Sequence, residues 1–349
     1  MTIKIADKLI DDKHPVFFIA ELSANHNQDF DLTLKTIRAM KEAGADAVKV
    51  QTFNADTLTI NSDKEDFRIK GGTLWDGATL YDLYQGAYMP WEWHEPLKKF
   101  VNDLGMVFFS TPTDRVSADF LEKLEMPVYK IASFEITDIP LIEHVARKGK
   151  PVIISTGVAG DEEINDALEA CRRVNNEEVI LLKCTSAYPT PWNDVHLNAI
   201  PLIRERYHKV VGLSDHTMGD IVALGAVTLG ARVVEKHFIL ERSLGGPDAS
   251  FSMEPEEFKT MVHRVRDLEK ALGNRSVVIP ESAKMNKQFE RSLYVVEDIQ
   301  AGEIFTEKNV RSIRPGFGMK PKFYRVVLGK RSTQDIERGT PLSPNLISD

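Results

Sequence analysis

The sequence has little cysteine, no long apolar run and no excess of positive charge. Its 349 residues include only two cysteines, Cys171 and Cys184, and neither lies in a CxxC motif, which excludes a disulfide scaffold. No apolar run approaches the roughly 20 residues that cross a bilayer, and the N-terminal segment lacks a signal-peptide core. With 44 Lys and Arg against 52 Asp and Glu, nucleic acid is not an expected partner. We expect a cytoplasmic enzyme that does not bind membranes.

Eight short apolar runs recur along the first three quarters of the chain, with amphipathic stretches between them. They lie at residues 16–20, 47–50, 106–109, 128–131, 152–154, 179–182, 210–213 and 233–234. Continuous apolar runs of this length are typical of buried parallel strands. Eight β/α units predict a (β/α)₈ TIM barrel over residues 1–273. A doubly wound open sheet is the alternative, but its glycine-rich first turn is missing from residues 21–27.

Two regions depart from this repeat. Residues 53–88 form a long connection after the second strand, rich in Trp, Tyr and Gly. Connections on this side of a barrel border the active site, so we expect an insertion that covers the substrate. Beyond residue 273, a polar linker at 274–288 precedes short strand and turn signals at 289–349. These predict a small β-rich domain that depends on the barrel or on another subunit for stability.

Polar residues stand at the C-terminal ends of all eight predicted strands. They are Glu21, Lys49, Gln51, Ser110, Thr111, Lys130, Ser133, Glu135, Ser155, Lys183, Thr185, Ser186, Ser214, Asp215, His216, Glu235, Lys236 and His237. In a barrel these ends converge on one mouth. Because burying so many polar groups without a ligand is costly, the pattern predicts a functional site there.

Lysines end the second, fourth and sixth predicted strands. Lys49, Lys130 and Lys183, with nearby hydroxyls, suit a small dianion such as a phosphate or carboxylate. Two other interpretations remain open. The lysines could form structural ion pairs with Glu21 or Glu135, or one of them could form a Schiff base.

His216 and His237 end the last two predicted strands. Imidazoles at adjacent strand ends can share one divalent metal ion and leave positions open for water and substrate. Asp248, in the glycine-rich loop that follows, could orient a ligand or act as a base. The sequence therefore predicts a metal site at the barrel mouth.

Read together, these segments resemble the sialic acid synthase family, the phosphoenolpyruvate-dependent nonulosonate synthases. The matching motifs are AELSANHN (20–27), KVQTF (49–53), KIASFE (130–135), STG (155–157), LKCTSAYPTP (182–191), GLSDHT (212–217), EKHF (235–238) and GGPDASFS (245–252). RPGFGMKP at 314–321 is similar to the family's antifreeze-like (SAF) domain. The resemblance implies condensation of phosphoenolpyruvate with an amino sugar.

The resemblance also implies roles for individual residues. His216 and His237 would hold Mn²⁺ or another divalent ion, and Glu135 would face the attacking water. The phosphoenolpyruvate pocket would be lined by Lys49, Thr111, Lys130, Ser133, Ser155, Ser186 and Ser214. The sugar or the metal-bound water would be contacted by Glu21, Gln51, Tyr188 and Asp248. Arg314 would reach the sugar's N-acetyl group from the SAF domain of a partner subunit, in a domain-exchanged homodimer.

Two positions bear on the sugar. Family members that make N-acetylneuraminate carry Asn where this chain has Ser186 and Phe317, and the insertion resembles that of the pseudaminic acid synthases. We therefore expect 2,4-diacetamido-2,4,6-trideoxy-β-L-altrose as the substrate, since its missing 6-hydroxyl favours apolar contact. The alternatives are an N-acetylneuraminate or legionaminate synthase, a metal-free Schiff-base aldolase, and a non-catalytic sugar-binding protein.

Overall fold

The computed structural model describes residues 1–72, 74–274 and 276–349. Residue 73 of the insertion and residue 275 of the linker lie outside the described residues. The chain divides into two compact units, Met1–Gly273 and Asn274–Asp349. None of the described helices is long and apolar enough to cross a membrane.

The first unit opens with a hairpin that the sequence analysis did not predict. Strands β1 (Ile3–Ile5) and β2 (Lys8–Ile10) pair antiparallel. Ile3, Ile5 and Ile10 are fully buried in the same apolar cluster as the N-terminal ends of the barrel strands. The hairpin therefore closes the end of the barrel that lies opposite the predicted mouth.

Eight parallel strands then form a closed barrel. They are β3 (Phe17–Glu21), β4 (Ala47–Thr52), β5 (Val107–Pro112), β6 (Tyr129–Ile131), β7 (Val152–Ser155), β8 (Val179–Cys184), β9 (Val210–Asp215) and β10 (Val233–His237). Each strand pairs with the next, and β10 pairs with β3 to complete the ring. The predicted TIM barrel is confirmed, and the open sheet is wrong because this last pairing leaves no edge strand.

Helices accompany the strands of the first unit, and most of them bury apolar residues. They are α1 (Phe30–Glu42), α2 (Ala55–Leu58), α3 (Leu80–Ala87), α4 (His94–Asp103), α5 (Arg115–Lys123), α6 (Ile139–Ala146), α7 (Asp161–Arg173), α8 (Ala199–Tyr207), α9 (Ile221–Thr228) and α10 (Pro255–Leu272). In α10 the buried positions are Phe258, Met261, Val262 and Val265, the spacing of one helical face. Helices α2 and α3 belong to the insertion between β4 and β5.

The second unit is small and β-rich. Strands β11 (Ser292–Val295) and β12 (Val310–Ile313) pair antiparallel, as do β13 (Arg331–Ser332) and β14 (Ile347–Ser348). Two single-turn helices, α11 (Glu281–Lys284) and α12 (Tyr324–Val327), accompany them. Leu293, Val295, Phe305 and Val310 lie in a separate apolar core, so this unit has a hydrophobic centre of its own.

Candidate active site at the barrel mouth

Inside the barrel, a polar layer lies on an apolar one. Alternate residues of a strand point inward, and the lower inward positions, such as Phe17, Val107 and Ile180, are buried in one apolar cluster. Four residues further along these strands, the inward positions become polar. This layer contains Glu21, Lys49, Gln51, Thr111, Lys130, Ser155, Cys184, Ser214, Glu235 and His237. The apolar layer therefore forms the floor of a polar pocket at the C-terminal ends of the strands.

Lys49 lies between two buried carboxylates. Its Nζ is 2.8 Å from Glu21 Oε2 and 3.6 Å from Glu235 Oε1, and it donates to Thr111 Oγ1 at 3.2 Å. Gln51 completes the group by donating to Glu21 Oε1 at 3.1 Å. Burial raises the pKa of Glu21, and the two carboxylates, despite the cost of burial, raise the pKa of Lys49. Of the interpretations that the sequence left open for the lysines, the structure therefore favours an ion pair with a buried carboxylate for Lys49.

Lys130 is placed differently. Its Nζ donates to Ser155 Oγ at 2.6 Å and to the Ile131 carbonyl at 3.0 Å. Among the described residues no carboxylate forms an ion pair with it. Burial lowers the pKa of Lys130. A buried ammonium group held only by neutral oxygens is suited to binding an anionic ligand, because the ligand supplies the missing charge.

Hydroxyl and thiol groups converge beside Lys130. Ser133 Oγ contacts Cys184 Sγ at 3.3 Å and accepts the Gly157 amide at 3.1 Å. A Cβ at position 157 would lie 2.6 Å from Ser133 Oγ and 2.9 Å from Cys184 Sγ, so only glycine fits. Ser186 borders the same space. This packing brings the backbone of the β7 loop against the predicted anion pocket.

Glu135 ends the short 3₁₀ turn Ser133–Glu135 after β6. Its side chain is half-buried, and burial raises the pKa of this carboxyl, an effect that the nearby charge of Lys130 opposes. A carboxyl group with a raised pKa holds its proton more readily than an exposed glutamate, as acid–base catalysis requires. The structure therefore leaves Glu135 available for acid–base chemistry.

The two predicted metal ligands lie side by side. The ring centroids of His216 and His237 are 5.3 Å apart. Nδ1 of His216 donates to the Thr185 carbonyl at 3.1 Å, which fixes its Nε2 as the basic nitrogen. Such a bond to a backbone carbonyl is typical of a metal-ligating histidine.

His237 has the character of a neutral ligand. Its Nδ1 is buried and has no hydrogen-bond partner among the described residues. Burial, together with the positive charges around the ring, lowers the pKa of His237 well below its usual value. A ring that stays neutral keeps a lone pair free for a cation. This orphaned nitrogen and the adjacent His216 ring fit a divalent ion.

Asp248 lies beside His237 on the loop after β10. Its Oδ2 is 3.9 Å from His237 Nδ1 and accepts the Ala24 amide at 3.2 Å, and burial raises the pKa of this carboxyl. Within the described part of the chain, no group of three or more His, Cys, Asp and Glu side chains could hold a metal ion. Among the His, Cys, Asp and Glu side chains of the described residues, an ion at this site would have the two imidazoles as ligands and positions left for water or substrate.

Aromatic side chains connect the insertion to the histidine pair. The Tyr188 ring lies 4.4 Å from the His216 ring and 5.9 Å from the Trp75 ring of the insertion. Trp75 Nε1 donates to the Pro247 carbonyl at 3.3 Å. The insertion therefore reaches the loops that surround the mouth, where we expected it to cover the substrate.

Several of the polar strand-end residues do not belong to the pocket, among them Ser110, whose Oγ donates to the Val50 carbonyl at 3.0 Å. Lys183 follows the inward Leu182 and so points outward, where its Nζ donates to Thr185 Oγ1 at 3.0 Å. Asp215 and Lys236 also face outward and pair with each other. The expectation that Lys183 converges with Lys49 and Lys130 is wrong, because strand alternation places consecutive residues on opposite faces.

Arg314 and Phe317 lie in the second unit, where both are exposed. That these two residues contact a sugar stays a prediction.

The sequence analysis did not assign roles to Glu235, which pairs with Lys49 as Glu21 does, or to Cys184, which contacts Ser133. Strand alternation could have identified both, since Cys184 and Glu235 each lie two residues after an inward-facing residue, Leu182 in β8 and Val233 in β10.

Comparison with known proteins decides the family. Residues 36–277 match the NeuB family, and residues 290–348 match the SAF domain. The chain belongs to the NeuB family. It is 48% identical over 327 residues to a pseudaminic acid synthase of Campylobacter jejuni subsp. jejuni serotype O:23/36, with 94% of this chain and 95% of that protein covered.

Two further members of the family are similar along most of their length. A pseudaminic acid synthase of Helicobacter pylori is 46% identical, with 94% of this chain and 97% of that protein covered. The crystal structure of an N-acetylneuraminic acid (sialic acid) synthetase from Leptospira borgpetersenii serovar Hardjo-bovis aligns with a TM-score of 0.74 at 31% identity. The alignment covers 82% of this chain and 95% of the synthetase chain.

Proposed function

We propose that this NeuB-family chain is a pseudaminic acid synthase. It would condense phosphoenolpyruvate with 2,4-diacetamido-2,4,6-trideoxy-β-L-altrose and water, giving pseudaminic acid and phosphate. The observation that carries the proposal is the 48% identity to such a synthase over 94% of this chain. The polar barrel mouth supports it, because a buried unpaired lysine and two adjacent imidazoles suit an anionic substrate and a metal ion.

Lys130 is the main cation for phosphoenolpyruvate in this proposal. Its ammonium group lies beside Ser155, Ser133 and the Gly157 backbone, so a phosphate or carboxylate there receives several hydrogen bonds. Lys49 and Thr111 adjoin this pocket, with Ser186 and Ser214 at its border. Glu21 and Glu235 already neutralise Lys49, so its contribution to anion binding is smaller than that of Lys130.

A divalent ion such as Mn²⁺ would be held by His216 and His237 and would polarise the sugar aldehyde. Tyr188 lies against His216, and Gln51 and Asp248 border the space that the sugar would enter. The C2=C3 electron pair of phosphoenolpyruvate would form the bond from carbon 3 to the aldehyde carbon, and the aldehyde oxygen would take up a proton to become a hydroxyl group. Water adds to carbon 2, phosphate leaves with cleavage of its C–O bond, and Glu135 holds or moves the proton of that water.

The partner predictions belong to the same proposal. Arg314 would recognise an acetamido carbonyl from the second unit of a partner chain, and Phe317 would add apolar contact, in a domain-exchanged homodimer. A cytoplasmic location is proposed with it. Arg314 is exposed and forms no ion pair among the described residues, so its guanidinium group is available for such a contact.

Phosphate release from phosphoenolpyruvate tests the proposal. The purified chain should release phosphate with the altrose derivative much faster than with N-acetylmannosamine or 2,4-diacetamido-2,4,6-trideoxymannose. Chelation should abolish release, and Mn²⁺ should restore it. A preference for either manno sugar would replace the assignment with an N-acetylneuraminate or legionaminate synthase.

Two outcomes would point outside this reaction. Activity that survives exhaustive chelation, together with a borohydride-trapped adduct on Lys130, would favour the Schiff-base aldolase. Binding of the sugar without any turnover would favour the non-catalytic sugar-binding protein.

A further inference from the structure

The ladder between the last two barrel strands ends one residue before the histidine pair. The final register pair of β9 and β10 is Asp215 with Lys236. His216 directly follows β9, and His237 is the last residue of β10. His237 is still paired with Glu21 of β3 on its other side. The backbone ladder between β9 and β10 therefore does not extend to the two rings that would share a metal ion.

Outward-facing side chains join the strands at this point. Lys236 Nζ lies 2.6 Å from Asp215 Oδ2, and the two side chains are 1% and 2% exposed. The same ammonium group donates to the Thr217 carbonyl at 2.8 Å, and the Thr217 amide donates to Asp215 Oδ1 at 2.9 Å. Lys236, which precedes His237, is thus bonded to both residues that flank His216.

We propose that Asp215 and Lys236 are positioning residues that fix the separation of His216 and His237 and so raise the affinity for a divalent ion. This inference rests on the proposed metal site. Neither residue touches the ion, and both act through the backbone of the histidines. A two-imidazole site depends strongly on such a restraint, because no third His, Cys, Asp or Glu side chain of the described residues compensates for a displaced ring.

Other contacts limit the size of the effect. The His216 carbonyl accepts the Thr190 amide at 3.1 Å, and His216 Nδ1 is bonded to the Thr185 carbonyl. These bonds connect His216 to the segment that follows β8 but not to β10. The ion pair is the contact that we expect to fix the distance between His216 and His237. We therefore expect loss of the pair to weaken metal binding by about tenfold or more, the range found for residues that orient metal ligands.

A purely structural ion pair would behave differently. Buried ion pairs often add little net stability relative to neutral replacements, so their presence alone does not show what they are for. If Asp215 and Lys236 only stabilised the barrel, a folded variant without the pair would bind metal as well as the wild type. Metal affinity measured on folded protein separates the two roles.

The experiment measures Mn²⁺ binding to the full-length chain by EPR detection of free Mn²⁺, alongside thermal unfolding. Lys236→Met removes the ammonium group but leaves Asp215 buried and unpaired. The double variant Asp215→Asn/Lys236→Met also removes that charge. Lys236→Arg keeps the charge while changing its geometry. Lys209→Met is the control, since Lys209 precedes β9 at the opposite end of the barrel and is itself only 8% exposed, although its partner Glu177 is 57% exposed.

The folded double variant should bind Mn²⁺ at least about tenfold more weakly than the wild type, with the control within about twofold. Wild-type affinity in the double variant, or in folded Lys236→Met if the double variant does not fold, overturns the inference and leaves the metal site intact. Absence of Mn²⁺ binding to the wild type overturns both this inference and the proposed metal site.

Discussion

At the scale of single residues, two buried lysines of the same layer differ in what surrounds them. Lys49 is shared by Glu21 and Glu235, whereas Lys130 contacts only a hydroxyl and a carbonyl oxygen. A buried cation without a counter-ion is costly in an empty site. That cost is offset when an anion binds, so Lys130 is the lysine on which phosphoenolpyruvate affinity depends most.

Replacement of Lys130 tests this difference. A charge-assisted hydrogen bond contributes about 1.5–3 kcal/mol, so Lys130→Met should raise the KM for phosphoenolpyruvate about 10- to 100-fold. Steady-state kinetics at saturating sugar measures it, with circular dichroism as the check on folding. Lys183→Met is the control, because Lys183 points away from the pocket and should leave the KM unchanged. A change below about threefold in Lys130→Met would contradict the assignment.

The pH profile gives a second measurement of the same residue. Burial lowers the pKa of Lys130, and only its protonated form binds the anion. The value of kcat/KM for phosphoenolpyruvate should therefore be full at lower pH and fall as the pH rises through this lowered pKa, below the range of an ordinary lysine. Lys130→Arg, if active, should lack this alkaline decline because arginine stays charged.

Which strand-end residues enter the pocket could be only partly predicted from the sequence. The types of residue were right, because a polar layer inside an otherwise apolar barrel is conspicuous. Their direction was missed for Lys183, since it depends on the strand register. That register was readable in principle, because Ile180, Leu182 and Cys184 alternate on the inward face. The partners of Lys49, in contrast, come from three strands and follow from no single segment.

At the scale of elements, the eight strands were predictable and the first hairpin was not. Buried parallel strands are apolar on both faces, so each appears as a continuous run. Strands β1 and β2 have only three residues each, so neither contains an apolar run long enough to predict a strand. The hairpin covers the apolar N-terminal end of the barrel. Because that end is formed only when all eight strands come together, the short hairpin segment does not predict its own role.

The insertion between β4 and β5 gives the element-scale prediction. Trp75 contacts Tyr188 and the Pro247 carbonyl, so its indole forms part of the wall above the histidine pair. Trp75→Ala should raise the KM for the altrose sugar about tenfold, close to 1.4 kcal/mol, because an apolar wall and its ring contact are lost. The KM for phosphoenolpyruvate, measured in the same assay, should change little.

The control for Trp75 is another tryptophan near the mouth. Trp192 follows the Tyr188 loop but is 59% exposed. Trp192→Ala should keep the KM for the sugar within about twofold of the wild type. Equal losses in the two variants, or an unchanged KM in Trp75→Ala, would show that the insertion does not contact the sugar.

At the scale of the whole molecule, the second unit could cover the barrel of its own chain or that of a partner chain. The second unit has its own core, yet large apolar side chains around it are exposed, among them Val278, Met285, Phe289 and Phe317. Exposed apolar groups are typical of a surface that another protein covers. The proposed homodimer, in which the second unit of one chain covers the barrel of its partner, would bury such groups.

Mixed dimers test that arrangement. An Arg314→Ala chain and a His237→Ala chain should each be inactive, the first lacking the sugar contact and the second a metal ligand. With exchange of the second units, a mixed dimer combines the intact barrel of the first chain with the intact Arg314 of the second. After random subunit exchange, verified by two different affinity tags, about a quarter of the sites are complete, so about a quarter of wild-type activity should return. A mixture of Arg314→Ala with the double variant Arg314→Ala/His237→Ala should stay inactive. Verified mixed dimers that recover no activity would show that each barrel is served by its own chain, or that Arg314 does not contact the sugar.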